Sequence, residues 1–163
     1  MRNISGIPVG ARILEVGSAD VNGGVRDLFD DHSYTGIDHE AADSVDIVAS
    51  SHDLTDLFER DTFDLVLCLE MLEHDTNPWD TIAEICEVTK PGGTVILTAR
   101  GNGFPEHNRP DCYRFMRDGF RALIENGGLT LHVLEPDPQV SGWFAVATRP
   151  GAFADVKRRA GVQ

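Results

Sequence analysis

The chain has 163 residues, 41% of them apolar, which suits one hydrophobic core and excludes disorder for its bulk. Lysine and arginine number 14 against 27 acidic residues, and a net charge of −13 repels phosphate backbones, which argues against a nucleic-acid partner. No apolar run approaches the ~20 residues of a membrane span, and the start, Met1-Arg2-Asn3-Ile4-Ser5-Gly6, lacks the apolar stretch of a signal peptide, so the expected location is the cytoplasm.

In chain order, apolar runs of strand length alternate with helical patterns, as in βαβ units. Arg12–Val16 reads as a first strand ending at Gly17, and Val25–Phe29 as a helix with Val25, Leu28 and Phe29 on one face. Ser33–Ile37 is the second strand, closed by Asp38. Val45–Ala49 is the third, and Leu54–Phe58 a short helix after it. Phe63–Cys68 is apolar on both faces, as a central parallel strand should be. Thr76-Asn77-Pro78 opens a helix whose apolar face carries Ile82, Ile85, Cys86 and Val88, and Lys90-Pro91-Gly92-Gly93 is expected to stop it and turn the chain.

Thr94–Ala99 forms the fifth strand, and a loop rich in Gly, Asn and Pro runs from Arg100 to Cys112. Arg117–Asn126 is a helix with Phe120, Leu123 and Ile124 inward. Leu129–Leu134 and Trp143–Thr148 are the last strands, joined closely enough for an antiparallel hairpin. The expected fold is α/β: a Rossmann-like, doubly wound sheet of seven strands, mostly parallel, with an antiparallel C-terminal hairpin. Residues 1–150 are expected to form the one domain and 151–163 a flexible tail carrying the basic cluster Lys157-Arg158-Arg159. Of the three cysteines, Cys68 and Cys86 read as reduced core residues, and Cys112 lies in a polar loop with no neighbour that marks it as a nucleophile.

In such a sheet, ligands bind at the carboxyl ends of the strands, where strand order reverses. The first loop, Glu15-Val16-Gly17-Ser18-Ala19-Asp20-Val21-Asn22-Gly23-Gly24, is not the GxGxxG of a dinucleotide site. Glu15 at the strand end would repel pyrophosphate, and suits instead a ligand bearing ammonium and sulfonium groups. Asp38, ending the second strand, stands where a carboxylate commonly accepts ribose hydroxyls. It could also cap a helix or sit in a solvated turn.

Three segments together resemble the class I S-adenosylmethionine (SAM)-dependent methyltransferases of the type 11 kind, over nearly the whole chain. They are the loop from Glu15 to Gly24, the run Phe63-Asp64-Leu65-Val66-Leu67-Cys68-Leu69-Glu70-Met71-Leu72-Glu73-His74, and Val88-Thr89-Lys90-Pro91-Gly92-Gly93-Thr94. The resemblance implies that SAM is the cofactor, with Gly17, Ser18, Asn22 and Gly23 around its methionine part and Glu15 just behind. It places Asp38 on the ribose and His39 beside the adenine. The family's usual aspartate after the third strand, which meets the adenine amino group, is replaced by Ser50, so Ser50, a backbone N–H near Ser51, or Asp53 is left to supply adenine recognition. Glu70 and His74 are expected close to the methyl donor.

For the acceptor, His107, His74 and Glu106 are candidate general bases, since methyl transfer to a hydroxyl often needs one. His107 could instead cap a loop and His74 a helix. Tyr113 and Arg114 would line the acceptor pocket or pack its loop. No HxE…CxxC or His-Glu-His spacing points to a metal. Many family members carry helices before the first strand, whereas here little precedes Arg12, so the acceptor pocket is expected to be open, completed by a second subunit of a homodimer, or shaped for part of a large molecule. The expected activity is methylation of O or N on a small hydroxylated metabolite, sugar or glycan. The competing reading is a non-catalytic SAM-binding or interaction module. A nicotinamide oxidoreductase is disfavoured, because GxGxxG and Tyr-x-x-x-Lys are both lacking.

Overall fold

The structure is a computed structural model that describes residues 7–20 and 23–151. Seven strands form one sheet in the order β3-β2-β1-β4-β5-β7-β6. They are β1 (Arg12–Val16), β2 (Ser33–Asp38), β3 (Ile47–Val48), β4 (Phe63–Leu69), β5 (Thr89–Arg100), β6 (Thr130–Pro136) and β7 (Gly142–Thr148). The first five are parallel, while β7 runs antiparallel to both β5 and β6, so the expected C-terminal hairpin is present. Three helices, α1 (Leu54–Leu57), α2 (Pro78–Val88) and α3 (Arg117–Asn126), lie between the strands, with a 3-10 turn at Arg26–Phe29.

Successive side chains of a strand point to opposite faces, and this divides the core in two. Leu14, Val16, Val66, Cys68, Val95 and Leu97 pack with Leu54, Ile82, Ile85, Val88, Phe120, Leu123 and Ile124, which puts all three helices on one face. Ile13, Leu65 and Leu67 point the other way, toward Ala11 and Phe29. On that face Leu28 does not turn inward as its spacing suggested. It is 57% exposed, because the segment winds as a 3-10 turn, whose three-residue repeat buries Phe29 and leaves its neighbour in solvent.

Two other boundaries differ from the sequence pattern for local reasons. β3 keeps only Ile47–Val48 because the Asp46 carboxylate takes the Gly36 N–H (2.7 Å) that strand pairing would otherwise use. Lys90–Gly93 is not a plain turn between helix and strand. α2 ends at Thr89, whose hydroxyl donates to the Ile85 carbonyl (2.6 Å), and β5 starts there with an irregularity between its pairings at Phe63 and Leu65. Gly92, at φ +80°, carries that irregularity in a conformation that suits glycine.

The two faces make a clear stability prediction. Leu97→Ala, which empties a fully buried site, should cost about 2–5 kcal/mol in urea denaturation. Leu28→Ala should change stability by no more than about 0.5 kcal/mol, and a loss comparable to that of Leu97→Ala would contradict the burial described.

Candidate functional site

The order of strands reverses at β1, which pairs with β2 on one side and β4 on the other, Val16 facing both Ile37 and Cys68. A cleft of about 270 Å³ opens at the carboxyl ends of these strands, where an open α/β sheet binds ligands. Among its lining are Gly17, Asp38, His39, Ser50, Ser51 and His74, all singled out in the sequence, together with Met71 and Asp75, which were not.

Gly17 leaves β1 at φ +82°, and a Cβ there would come within 2.6 Å of the Met71 side chain. The glycine therefore lets the loop after β4 close against the loop after β1. Asp38 is held on both oxygens: Oδ2 accepts the Ala19 N–H (3.2 Å), and Oδ1 accepts the Glu40 N–H (3.0 Å) and lies 2.9 Å from His39 Nδ1. Its side chain is 10% exposed, so the carboxylate meets the cleft in a fixed orientation. Asp75 ties the cleft's two walls together. It accepts from the Thr81 hydroxyl (2.5 Å) and the Asn77 N–H (2.8 Å) and meets His52 Nε2 at 2.8 Å, while Ser51 Oγ joins Thr81 Oγ1 at 2.8 Å. Ser50 Oγ accepts the His52 N–H (3.1 Å).

Other expected site residues stand outside the lining. Ser18 turns to Ser44, whose hydroxyl donates to the Ser18 carbonyl (2.7 Å), and Gly23 donates its N–H to Asp20 (2.6 Å). Glu15 is buried behind the cleft and accepts the Tyr34 hydroxyl (2.7 Å). Asp53 precedes α1, and its carbonyl accepts the Asp56 N–H (3.1 Å). Glu70 follows β4 at φ +54°, a left-handed conformation unusual outside glycine, and its carboxylate pairs with Arg100 rather than facing the cleft. Asn22 and the Lys157-Arg158-Arg159 cluster lie outside the described residues. Cys68 is wholly buried, and burial pushes its thiol well up.

The loop after β5 folds back over one end of the cleft. Arg114 organises it, donating to Asp111 and to the carbonyls of Phe104 (3.0 Å) and Pro105 (2.8 Å), and it holds the Asp111 carboxyl well below the usual range. Arg114 thus packs the loop, as does Tyr113, whose hydroxyl donates to the Thr76 carbonyl (3.1 Å). The result brings His107 edge-on to His74, with ring centres 4.8 Å apart. Beneath them lies Glu73, fully buried, with burial raising its carboxyl to about 7. Glu106, the third candidate base, pairs instead with Arg109 on the exposed side of the loop (2.8 Å).

Residues 28–97 match the family model of a methyltransferase domain. The chain is 31% identical, over 175 aligned positions, to the ubiquinone biosynthesis O-methyltransferase of Burkholderia pseudomallei (strain 1710b), covering 88% of this chain and 71% of that one. The chain belongs to the class I SAM-dependent methyltransferase family. To the same-named protein of Burkholderia cenocepacia the methyltransferase chain is 33% identical over 90 residues, spanning 55% of its own length and 35% of that relative. Its fold matches that of the Burkholderia thailandensis 1,6-didemethyltoxoflavin-N1-methyltransferase, solved with bound 1,6-didemethyltoxoflavin and S-adenosylhomocysteine. That match has a TM-score of 0.68 and 17% identity, covering 86% of this chain and 71% of that one. The matched residues leave out β1 and its loop. Among the described residues no helix is long and apolar enough to cross a membrane.

Glu15, buried behind the cleft, supplies a pH test of this arrangement. Burial outweighs the Tyr34 hydrogen bond and raises its carboxyl above the ordinary 4.5, so the folded state holds the proton more tightly than the unfolded one. Its contribution is therefore most favourable at low pH and is lost as pH climbs from 4.5 to the raised folded value. Glu15→Gln, which keeps an oxygen for Tyr34, should flatten the fall in stability as pH rises above 4.5. Parallel profiles of urea denaturation for the two proteins would contradict this.

Proposed function

We propose that the chain binds SAM in the cleft beside β1 and transfers its methyl group to a hydroxyl oxygen of a small molecule. The observation that carries this reading is the convergence of Gly17, Asp38 and Ser50–Ser51 on one cleft at the strand-order reversal. The methionine part lies along Gly17 and Met71, the ribose hydroxyls meet Asp38, and the adenine rests between His39 and the Ser50–His52 turn. Glu15, behind the loop, adds negative potential for the ammonium and sulfonium. Ser18, Gly23 and Glu70 support the surrounding loops instead of touching the cofactor.

The bond from sulfur to the methyl carbon breaks as the oxygen–carbon bond forms. The electron pair returns to sulfur, leaving a neutral thioether, and the hydroxyl proton must leave. His74 and His107 stand together at the end of the cleft where that proton would go. Oxygen is favoured as the acceptor atom because the named relatives are ubiquinone O-methyltransferases, whose acceptors bear hydroxyls. The net charge of −13 supports an acceptor that is not a nucleic acid. Residues 1–150 form the SAM-binding domain in this reading, with a second copy of the chain as a means of enclosing the acceptor.

Calorimetric titration with SAM and with S-adenosylhomocysteine tests the cofactor. Both should bind in the micromolar range, and Asp38→Ala should weaken each by about 1–3 kcal/mol, the cost of a lost hydrogen bond to a charged group. Absence of binding by the folded wild-type protein would overturn the methyltransferase reading, and unchanged affinity in the variant would remove the ribose assignment.

A further inference from the structure

We propose that Glu73, His74 and His107 form a binding site for a divalent first-row transition ion of the zinc class. One ligand atom from each of the three lies within 4.8 Å of the other two. Two imidazoles and a carboxylate form the donor set that three-ligand sites of zinc and its neighbours use, with a further position left open. Magnesium and calcium, which prefer oxygen donors, suit it poorly.

Two independent features favour a cation here. The Glu73 side chain is wholly buried, and neither carboxylate oxygen has a side-chain hydrogen-bond partner. The nearest cation, Arg100, has its Nε 3.8 Å from Oε1 and is engaged by Glu70. A buried carboxylate left this way is costly unless it takes up a proton, is paired or coordinates a metal. The histidines, for their part, are oriented as ligands. His74 Nδ1 lies 2.7 Å from the Pro110 carbonyl, which can only accept, so Nδ1 carries the hydrogen and Nε2 offers its lone pair. Anchoring of the second ring nitrogen by a backbone carbonyl is the usual support of a metal-binding imidazole. The buried Nδ1 of His107 has no hydrogen-bond partner, the Asp111 carboxylate standing 3.7 Å away, and its ring is wedged between those of His74 (4.8 Å) and Phe104 (4.9 Å).

Ligand atoms around a tetrahedral zinc, at 2.0–2.1 Å bond lengths, stand about 3.4 Å apart, so the three groups need to draw in by about 1–1.5 Å. That is within reach of small side-chain rotations. His74 also lines the cleft, so the ion would sit at its edge. On the methyl-transfer reading, the open position would take the acceptor's hydroxyl oxygen and ease loss of its proton, a task a free imidazole would otherwise perform.

Titration of the untagged, SAM-free protein with Co²⁺, followed by visible absorption and displacement by Zn²⁺, tests the site without reference to methyl transfer. One ion per chain should bind. Glu73→Gln and His107→Ala should each weaken binding by more than the about 10–100-fold that loss of a supporting group costs. His132→Ala, in β6 away from the cluster, should bind as the wild type does. Circular dichroism confirms that each variant is folded. Lack of saturable binding by the wild type, or undiminished binding in folded Glu73→Gln and His107→Ala proteins, would overturn the proposal. Failure to bind SAM would leave this result standing, so the two readings fail separately.

Discussion

The placement of β1 between β2 and β4 governs the rest of the molecule. The three parallel strands end at the same edge of the sheet, and because the chain leaves β1 in one direction and returns in the other, their outgoing loops splay apart there. The cleft is the space left by that divergence. Its walls are then fixed by contacts that cross it. Gly17 lets Met71 close in, Asp38 gathers the amides of Ala19 and Glu40, and Asp75 joins the turn after β3 to the head of α2 through His52, Thr81 and Asn77. A cleft with walls bonded in this way is preorganised, which lowers the ordering cost of binding.

Carboxylates crowd this edge of the sheet, and each is handled differently. Asp38 is met by backbone N–H groups, Asp75 by a hydroxyl, an amide and an imidazole, Glu70 by Arg100, and Glu15 by Tyr34. Glu73 alone among these has a side chain that is wholly out of solvent, with the Arg100 Nε 3.8 Å from its Oε1. The collective field favours a cationic ligand over a pyrophosphate, which fits a sulfonium cofactor and sets this site apart from a dinucleotide site built on the same topology. The loop after β5 adds the remaining groups. Arg114 binds two of its carbonyls and Asp111, so His107 reaches His74 on a segment that is itself tied down.

Much of this was legible in the sequence because strand and helix patterns act locally. β1, α3 and the inward faces of α2 and α3 follow directly from apolar spacing. Leu28 misled because a five-residue segment cannot distinguish an α-helical face from a 3-10 turn, and β3 was overextended because Asp46 competes for a backbone N–H through its side chain. Of the residues lining the cleft, Gly17 and Asp38 were legible from their places at strand ends, and Ser50 and Ser51 from the family resemblance. Met71 and Asp75 were not, since their roles come from packing across the cleft. Glu73 carried no sequence signal at all: only its complete burial separates it from exposed acidic neighbours, and His107 lies too far along the chain for any ligand spacing to show.

Hydrogen–deuterium exchange with and without S-adenosylhomocysteine tests the central claim most directly, that the cofactor occupies the cleft beside β1. Ligand should slow exchange in the segments around Gly17–Ala19, Asp38–Glu40, Ala49–His52 and Met71–Thr76 together, while β6 and its turn to β7 remain unchanged. Protection confined to other segments, or none at saturating ligand, would contradict it.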